Sequence, residues 1–284
     1  MHIRQALVFL VSVTLGCGAS RPSAEQAHVA AMAREHAHDA PTPNASAQPP
    51  RQEVRAEEVT YGDLAGTALH GYLARPAAPS STPLPALVVV HEWWGLNDNV
   101  RMMTRRLAGE GYVALAVDLY GGRNADAPAA ARALMTESLA NPDNGVANLR
   151  AAAAFLRDGQ HAPKLGVVGW CFGGGWSLQA ALAMPELVDA AVMYYGRVVT
   201  DPARLRALDA PLLGLFGADD QGIPVADVRQ MESALRGLGR DVTIQVYDGA
   251  GHAFANPSGN NYRPAAADDA WRRTVAFFAQ HLAR

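Results

Sequence analysis

Cysteine is nearly absent from this chain: Cys17 and Cys171 are the only two among 284 residues. That is too few for a disulfide framework, so each thiol has to be read on its own. Charge of one sign is lacking too, since the formal net charge is -3. No broad field is available to gather nucleic acid or an anionic membrane surface. No internal repeat is present, and the apolar run from Ala6 to Leu15 is too short to span a bilayer comfortably. His28, His36 and His38 have no cysteine or carboxylate cluster completing a site in sequence, so they read as polar linker residues. Neither a metal nor an organic cofactor is expected.

What is there begins with an address. Met1 to Arg4 supply a basic start, Ala6 to Leu15 an apolar core, and Gly16-Cys17 a small residue before a thiol, the order of an export signal. The segment is similar to the bacterial lipoprotein signal, in which the cysteine is diacylated and becomes the mature N-terminus, although Thr14 stands where that signal usually has leucine. Residues 1–17 are therefore expected to direct export, leaving a periplasmic or membrane-anchored protein whose membrane contact is a lipid on Cys17. Residues 18–52, rich in Ala, Pro, Ser, Gln and His, read as a disordered, solvated tether.

Residues 53–284 alternate apolar strands with helical patterns and contain no long polar break, which predicts one α/β domain with a mostly parallel central sheet and helices on both faces. An antiparallel pair opens it at 57–61 and 68–75. Strands follow at 86–91, 112–118, 164–169, 190–194, 211–216 and 242–247, with helices at 100–109, 146–156, 172–183, 225–238 and 271–282. Ligands bind outside the carboxyl ends of strands in such sheets, which directs attention to the loops after His91, Asp118, Gly169, Phe216 and Tyr247.

The third of these loops is Gly169-Trp170-Cys171-Phe172-Gly173-Gly174, a nucleophile elbow with cysteine in place of serine. The turn is so tight that flanking side chains would collide, which accounts for its glycines. It also aims Cys171 at the first turn of a helix, where unpaired N–H groups favour a thiolate and can hold an oxyanion. An acid and a base follow in chain order. Asp219 and Asp220 lie after the strand ending at Phe216, and His252 lies after the strand ending at Tyr247. His252 suits a general base oriented by an aspartate. Asp220 is preferred because Asp219 fits a turn-forming role, though alternation along the loop could reverse that choice.

The segments His91-Glu92-Trp93-Trp94-Gly95, Val117-Asp118-Leu119-Tyr120, Gly169 to Gly174, Tyr194-Tyr195-Gly196, Gly217 to Pro224 and Gly249 to Phe254 resemble successive motifs of the dienelactone hydrolases, or carboxymethylenebutenolidases. The resemblance implies an α/β-hydrolase fold. It also implies a glutamate, Glu92, that interacts with the resting thiol, and an oxyanion hole built from the backbone N–H groups of Phe172 and Trp93. Trp94 and Tyr120 are candidates for the substrate pocket. The family binds an anionic lactone through arginines; one of these positions is Asn256 here, and Arg132 is the candidate for another.

The resulting expectation is cleavage of a carboxylic ester or lactone by a Cys171–His252–Asp220 triad through an acyl-enzyme. Thioesterase or broad-range esterase chemistry would use the same residues. A cell-envelope binding protein that has kept the fold without turnover is the non-enzyme alternative. A thiol redox sensor is disfavoured, because the only other cysteine is Cys17.

Overall fold

A computed structural model describes residues 23–39, 41 and 48–283. The export signal and Cys17 lie outside the described residues. Eight strands form one sheet: β1 (Val54–Leu64), β2 (Thr67–Pro76), β3 (Ala86–Val90), β4 (Val113–Val117), β5 (Leu165–Trp170), β6 (Ala190–Tyr194), β7 (Leu212–Gly217) and β8 (Val242–Tyr247). Their spatial order is β1-β2-β4-β3-β5-β6-β7-β8. The pairs β1–β2 and β2–β4 are antiparallel and all others are parallel.

Burial follows this order. The central strands β3, β4, β5, β6 and β7 are buried at every residue, as unbroken apolar runs such as Ala-Leu-Val-Val-Val require when helices cover both faces. The edge strand β1 instead mixes exposed and buried positions. Its hairpin to β2 turns at Ala65 and Gly66, both with positive φ (51° and 84°), the twist a two-residue connection needs.

The helices are α1 (Ala24–Glu35), α2 (Asp98–Gly109), α3 (Pro128–Leu139), α4 (Pro142–Ala154, continued by a wider turn over Phe155–Gly159), α5 (Phe172–Ala183), α6 (Pro202–Leu205), α7 (Val225–Gly237) and α8 (Pro264–His281). The alternating pattern thus yields the expected mostly parallel sheet. Sequence reasoning passed over α3, whose alanine-rich stretch lacks a sharp apolar stripe, and the short α6.

A larger difference lies in the segment read as a tether. Residues 24–35 are helical, and Ser23 caps the helix reciprocally with Gln26, each side chain accepting from the other's backbone N–H. Five alanines between 24 and 33 favour helix on propensity alone. Val29, Met32 and His36 are spaced to share one face, and all three are buried. The chain there is polar in composition but apolar on one narrow side, which a composition average conceals.

The strand order also locates a crevice. From β3 the chain crosses to β4 on one side and then returns to β5 on the other, so β3 and β5 are adjacent while their connections diverge. Val90 pairs in register with Gly169, and the chain leaves both strands side by side at Glu92 and Cys171.

Candidate active site

Cys171 sits between β5 and α5 with φ 55° and ψ −117°, a strained conformation for a residue with a side chain. The glycines around it are sterically required. A Cβ at Gly169 would lie 2.3 Å from the Gly173 carbonyl oxygen, and one at Gly173 would lie 2.2 Å from that of Val90. The start of α5 is thereby pressed against the end of β3. Phe172 is the first residue of that helix, so its N–H has no intrahelical acceptor.

The structure brings Cys171, His252 and Asp220 together. His252 Nδ1 is 2.8 Å from Asp220 Oδ2, with both side chains fully buried. The second Asp220 oxygen, Oδ1, accepts from the N–H groups of Gly222 and Ile223, each at 2.8 Å. Asp219 is exposed, and its backbone N–H donates to the Ala250 carbonyl. Of the two adjacent aspartates, the one that meets His252 is Asp220. The ligand atoms of His252 and Cys171 lie within 4.8 Å of one another, and among the described residues His252 Nε2 makes no hydrogen bond of normal length, so charge attraction dominates between the two.

That attraction shifts both groups. Burial pushes the Cys171 thiol up, but the neighbouring His252 and His36 imidazoles outweigh it and leave it at about 6. Burial alone would lower His252, yet the Asp220 carboxylate and the Cys171 sulfur hold it well above the usual histidine range. A thiolate–imidazolium pair is the favoured state near neutral pH.

Glu92 is buried in the loop leaving β3. Its Oε1 accepts from the Tyr195 hydroxyl at 3.5 Å and its Oε2 from Asn256 Nδ2. Burial first, and then the Cys171 charge, raise its carboxyl from 4.5 to about 8. A carboxyl whose folded pKa exceeds its unfolded value contributes stability that is complete below the unfolded value and is lost as pH rises through the folded one. At about 1.4 kcal/mol per pH unit, ionising it in place costs a few kcal/mol. Glu92→Gln should therefore hold a stability advantage over the native chain that grows between about pH 5 and pH 9. Paired thermal melts across that range check it; parallel curves would show that Glu92 is not held protonated.

The remaining sequence candidates separate. Trp93 is fully buried in the same loop. Trp94 is buried beside a small cavity lined by Asp39, Asn99 and Asn256. Tyr120 is buried, its ring 5.3 Å from that of Phe172 and its hydroxyl without a hydrogen-bond partner among the described residues. Arg132 is exposed on α3 and is not brought to this cluster. Asn256, standing at a family arginine position, binds Glu92 and receives a bond from Asn99.

Sequence reasoning missed the N-terminal segment's part in the site. α1 packs against α3, and its exit loop seals the crevice. Met32 Sδ lies 4.0 Å and His36 Nε2 3.9 Å from Cys171 Sγ. The His36 ring stacks on Trp93 at 4.6 Å and meets His252 edge-on at 5.2 Å. Polar contacts tie the segment to the loops around the site. Glu25 pairs with Arg197 at 3.7 Å, Glu35 accepts from the Gln221 N–H at 3.1 Å, and Asp39 accepts from Asn260 at 2.9 Å. The capping pair Ser23 and Gln26, with the Val29–Met32–His36 spacing, is the signal that could have revealed it. Beside Phe172 a cleft of about 240 Å³ opens, lined by residues that include His28, Met135, Leu139, Trp176 and Arg197.

Comparison with known proteins adds the following. A family model described as "Dienelactone hydrolase family" matches residues 69–282. The "Putative carboxymethylenebutenolidase" of Salmonella typhimurium is 38% identical over 232 residues, which cover 76% of this chain and 84% of that protein. "Protein usf" of Aquifex pyrophilus is 35% identical over 224 residues, covering 76% and 95% respectively. A crystal structure of a "Putative Dienelactone Hydrolase" from Klebsiella pneumoniae superposes with a TM-score of 0.73 at 33% identity, over 81% of this chain and 100% of its own.

Proposed function

The chain belongs to the dienelactone hydrolase family, and from that premise we propose that it hydrolyses a carboxylic ester or lactone with Cys171 as nucleophile. One observation carries the reading: a thiol on a strained elbow lies beside a histidine whose other nitrogen is anchored on a buried aspartate. In this mechanism the Cys171 thiolate attacks the carbonyl carbon, and the oxyanion is held by the N–H groups of Phe172 and Trp93. His252 gives its proton to the departing alkoxide. It then takes a proton from water as that water attacks the thioester, freeing the acid and restoring the thiolate.

The substrate is a neutral ester or lactone with an apolar part rather than an anionic lactone. Arg132 is exposed, Asn256 is engaged with Glu92, and the two arginines lining the cleft, Arg197 and Arg204, are paired with Glu25 and Gln179. The apolar residues Met135, Leu139 and Trp176 beside Phe172 offer the complementary surface. Screening the chain against neutral lactones, aryl esters, thioesters and an anionic dienelactone tests this, with Cys171→Ala as control. Turnover of the neutral esters that vanishes in the variant is expected. Preference for the anionic lactone would overturn the substrate class, and full turnover by Cys171→Ala would overturn the mechanism. Thioesters cleaved much faster than esters would favour the thioesterase alternative.

The protein works in the cell envelope, exported by residues 1–17 and anchored by a lipid on Cys17. The expected result is a mature chain beginning at a diacylated Cys17, read by mass spectrometry, and its loss in Cys17→Ser. An uncleaved chain beginning at Met1 in the cytoplasm would refute this placement.

A further inference from the structure

We propose that His36, His252 and Cys171 together form a binding site for a zinc ion, completed only when the N-terminal segment closes over the thiol. Their donor atoms, two imidazole nitrogens and a sulfur, all lie within 4.8 Å of one another. The residues are 3%, 0% and 2% exposed respectively. Tetrahedral zinc, with bonds of about 2.0–2.1 Å to nitrogen and 2.3 Å to sulfur, needs such atoms about 3.3–3.6 Å apart. His36 Nε2 and Cys171 Sγ already stand at 3.9 Å. Closing the cluster means drawing the other atoms together from as much as 4.8 Å.

Orientation of the two rings is the stronger argument. His36 Nδ1 is 2.8 Å from Asp39 Oδ2, and His252 Nδ1 is 2.8 Å from Asp220 Oδ2. A carboxylate on Nδ1 keeps the proton there and turns the Nε2 lone pair outward, which is how metal-binding histidines are set by their surroundings. Here both imidazoles face one sulfur, with His36 Nε2 in a long hydrogen-bonding contact to it at 3.9 Å, and a metal would replace the protons between them. His252 Nε2 makes no hydrogen bond of normal length among the described residues, and in the resting ion pair its proton faces the Cys171 sulfur, so zinc would take the place of that proton. A hydrolase needs only one such histidine. Stacking on Trp93 accounts for the burial of His36 but not for its anchoring on Asp39 or its aim at Cys171.

The donor chemistry narrows the ion. Two imidazoles and a thiolate exclude magnesium and calcium and suit zinc or copper, and Met32 Sδ, 4.0 Å from the Cys171 sulfur, makes copper the competitor to titrate beside zinc. Coordination takes Cys171 as thiolate and both Nε2 atoms unprotonated, with displaced protons leaving to solvent; no electrons are transferred. Two ligands come from the catalytic domain and one from the segment before it. A bound ion would staple that segment shut and occupy the nucleophile, making zinc an inhibitor of hydrolysis.

The test uses the full chain, freed of metal by a chelator, and reads binding rather than turnover. Titration with zinc against a chromophoric chelator should give one tight site per chain. Cobalt substituted for zinc should show a thiolate-to-metal charge-transfer band that Cys171→Ser abolishes. Zinc should slow iodoacetamide labelling of Cys171 at least about tenfold. His36→Gln should weaken zinc binding by more than about 100-fold, and Asp39→Asn should weaken it about 10–100-fold in a chain whose ligands are all intact. Absence of a stoichiometric site in the native chain, or unchanged affinity in both variants, would overturn the inference. Ester turnover that depends on Cys171 in a chain that binds no zinc would leave the proposed hydrolysis standing and remove only the metal site.

Discussion

Asp220→Asn should lower kcat for a chromogenic ester by about 10³–10⁴-fold, while Asp219→Asn should lower it by less than about threefold. The asymmetry follows from where two adjacent carboxylates point. Asp220 is buried, with one oxygen on His252 Nδ1 and the other on two backbone N–H groups. An asparagine there can still accept from Gly222 and Ile223 through its oxygen, so the loop keeps its shape. Its amide nitrogen, however, then faces His252 Nδ1 as a donor. The imidazole must turn its lone pair toward Nδ1 and place its proton on Nε2, the tautomer that cannot take a proton from a thiol or a water. The Cys171 thiol loses its strongest favourable partner at the same time, so its labelling at neutral pH should also slow. Asp219 is exposed and holds its loop through backbone groups, its N–H on Ala250 and its carbonyl on Gln221. Steady-state kinetics of the two variants decide the matter. Comparable losses would mean that His252 is not oriented by Asp220.

The contrast between these aspartates marks how far the sequence could be read. Strand placement was legible because β3 to β7 are buried on both faces, and full burial leaves unbroken apolar runs. The elbow was legible because its glycines answer a local steric demand, visible in the 2.2 and 2.3 Å approaches that a Cβ at Gly173 or Gly169 would make. Asp220 was harder, since neighbouring residues on an irregular loop follow no fixed period. Glu92 was placed by family resemblance, but its partners were not: Tyr195 directly follows β6 and Asn256 lies in the loop after β8, 103 and 164 positions away. Arg132 stands away from the cluster for a related reason, because a helix position says nothing about the cluster unless the helix's buried face is known. On α3 that face is Ala131, Leu134 and Met135. The N-terminal helix was lost through averaging. Its prolines and polar neighbours describe the segment as a whole, whereas the structure depends on a single cap and one buried stripe.

That stripe carries the last expectation. A chain beginning at residue 48 should react with iodoacetamide at Cys171 at least about tenfold faster than the full-length protein, and its kcat/KM for bulky esters should rise by a similar factor. In the closed arrangement Cys171 is 2% exposed, with Met32 and His36 against its sulfur. Nothing as large as an ester can reach the carbon–sulfur trajectory until the segment lifts. Burying Val29, Met32 and His36 favours closure by a few kcal/mol at most, and ordering the chain from Ser23 to Asp39 opposes it. A small net remainder is the natural outcome, and about 1.4 kcal/mol suffices for a tenfold closed population. The cut leaves the catalytic domain's own anchors in place, since Gln48 still meets Asp268 and Gln52 still meets the Gly109 carbonyl. Labelling kinetics and ester turnover on the two chains separate the possibilities. Unchanged rates would mean that the segment is open in solution. A fall in both rates, with the thermal transition preserved, would mean that His36 lowers the thiol's pKa enough to matter more than the access it blocks, because the same imidazole that covers Cys171 also favours its thiolate.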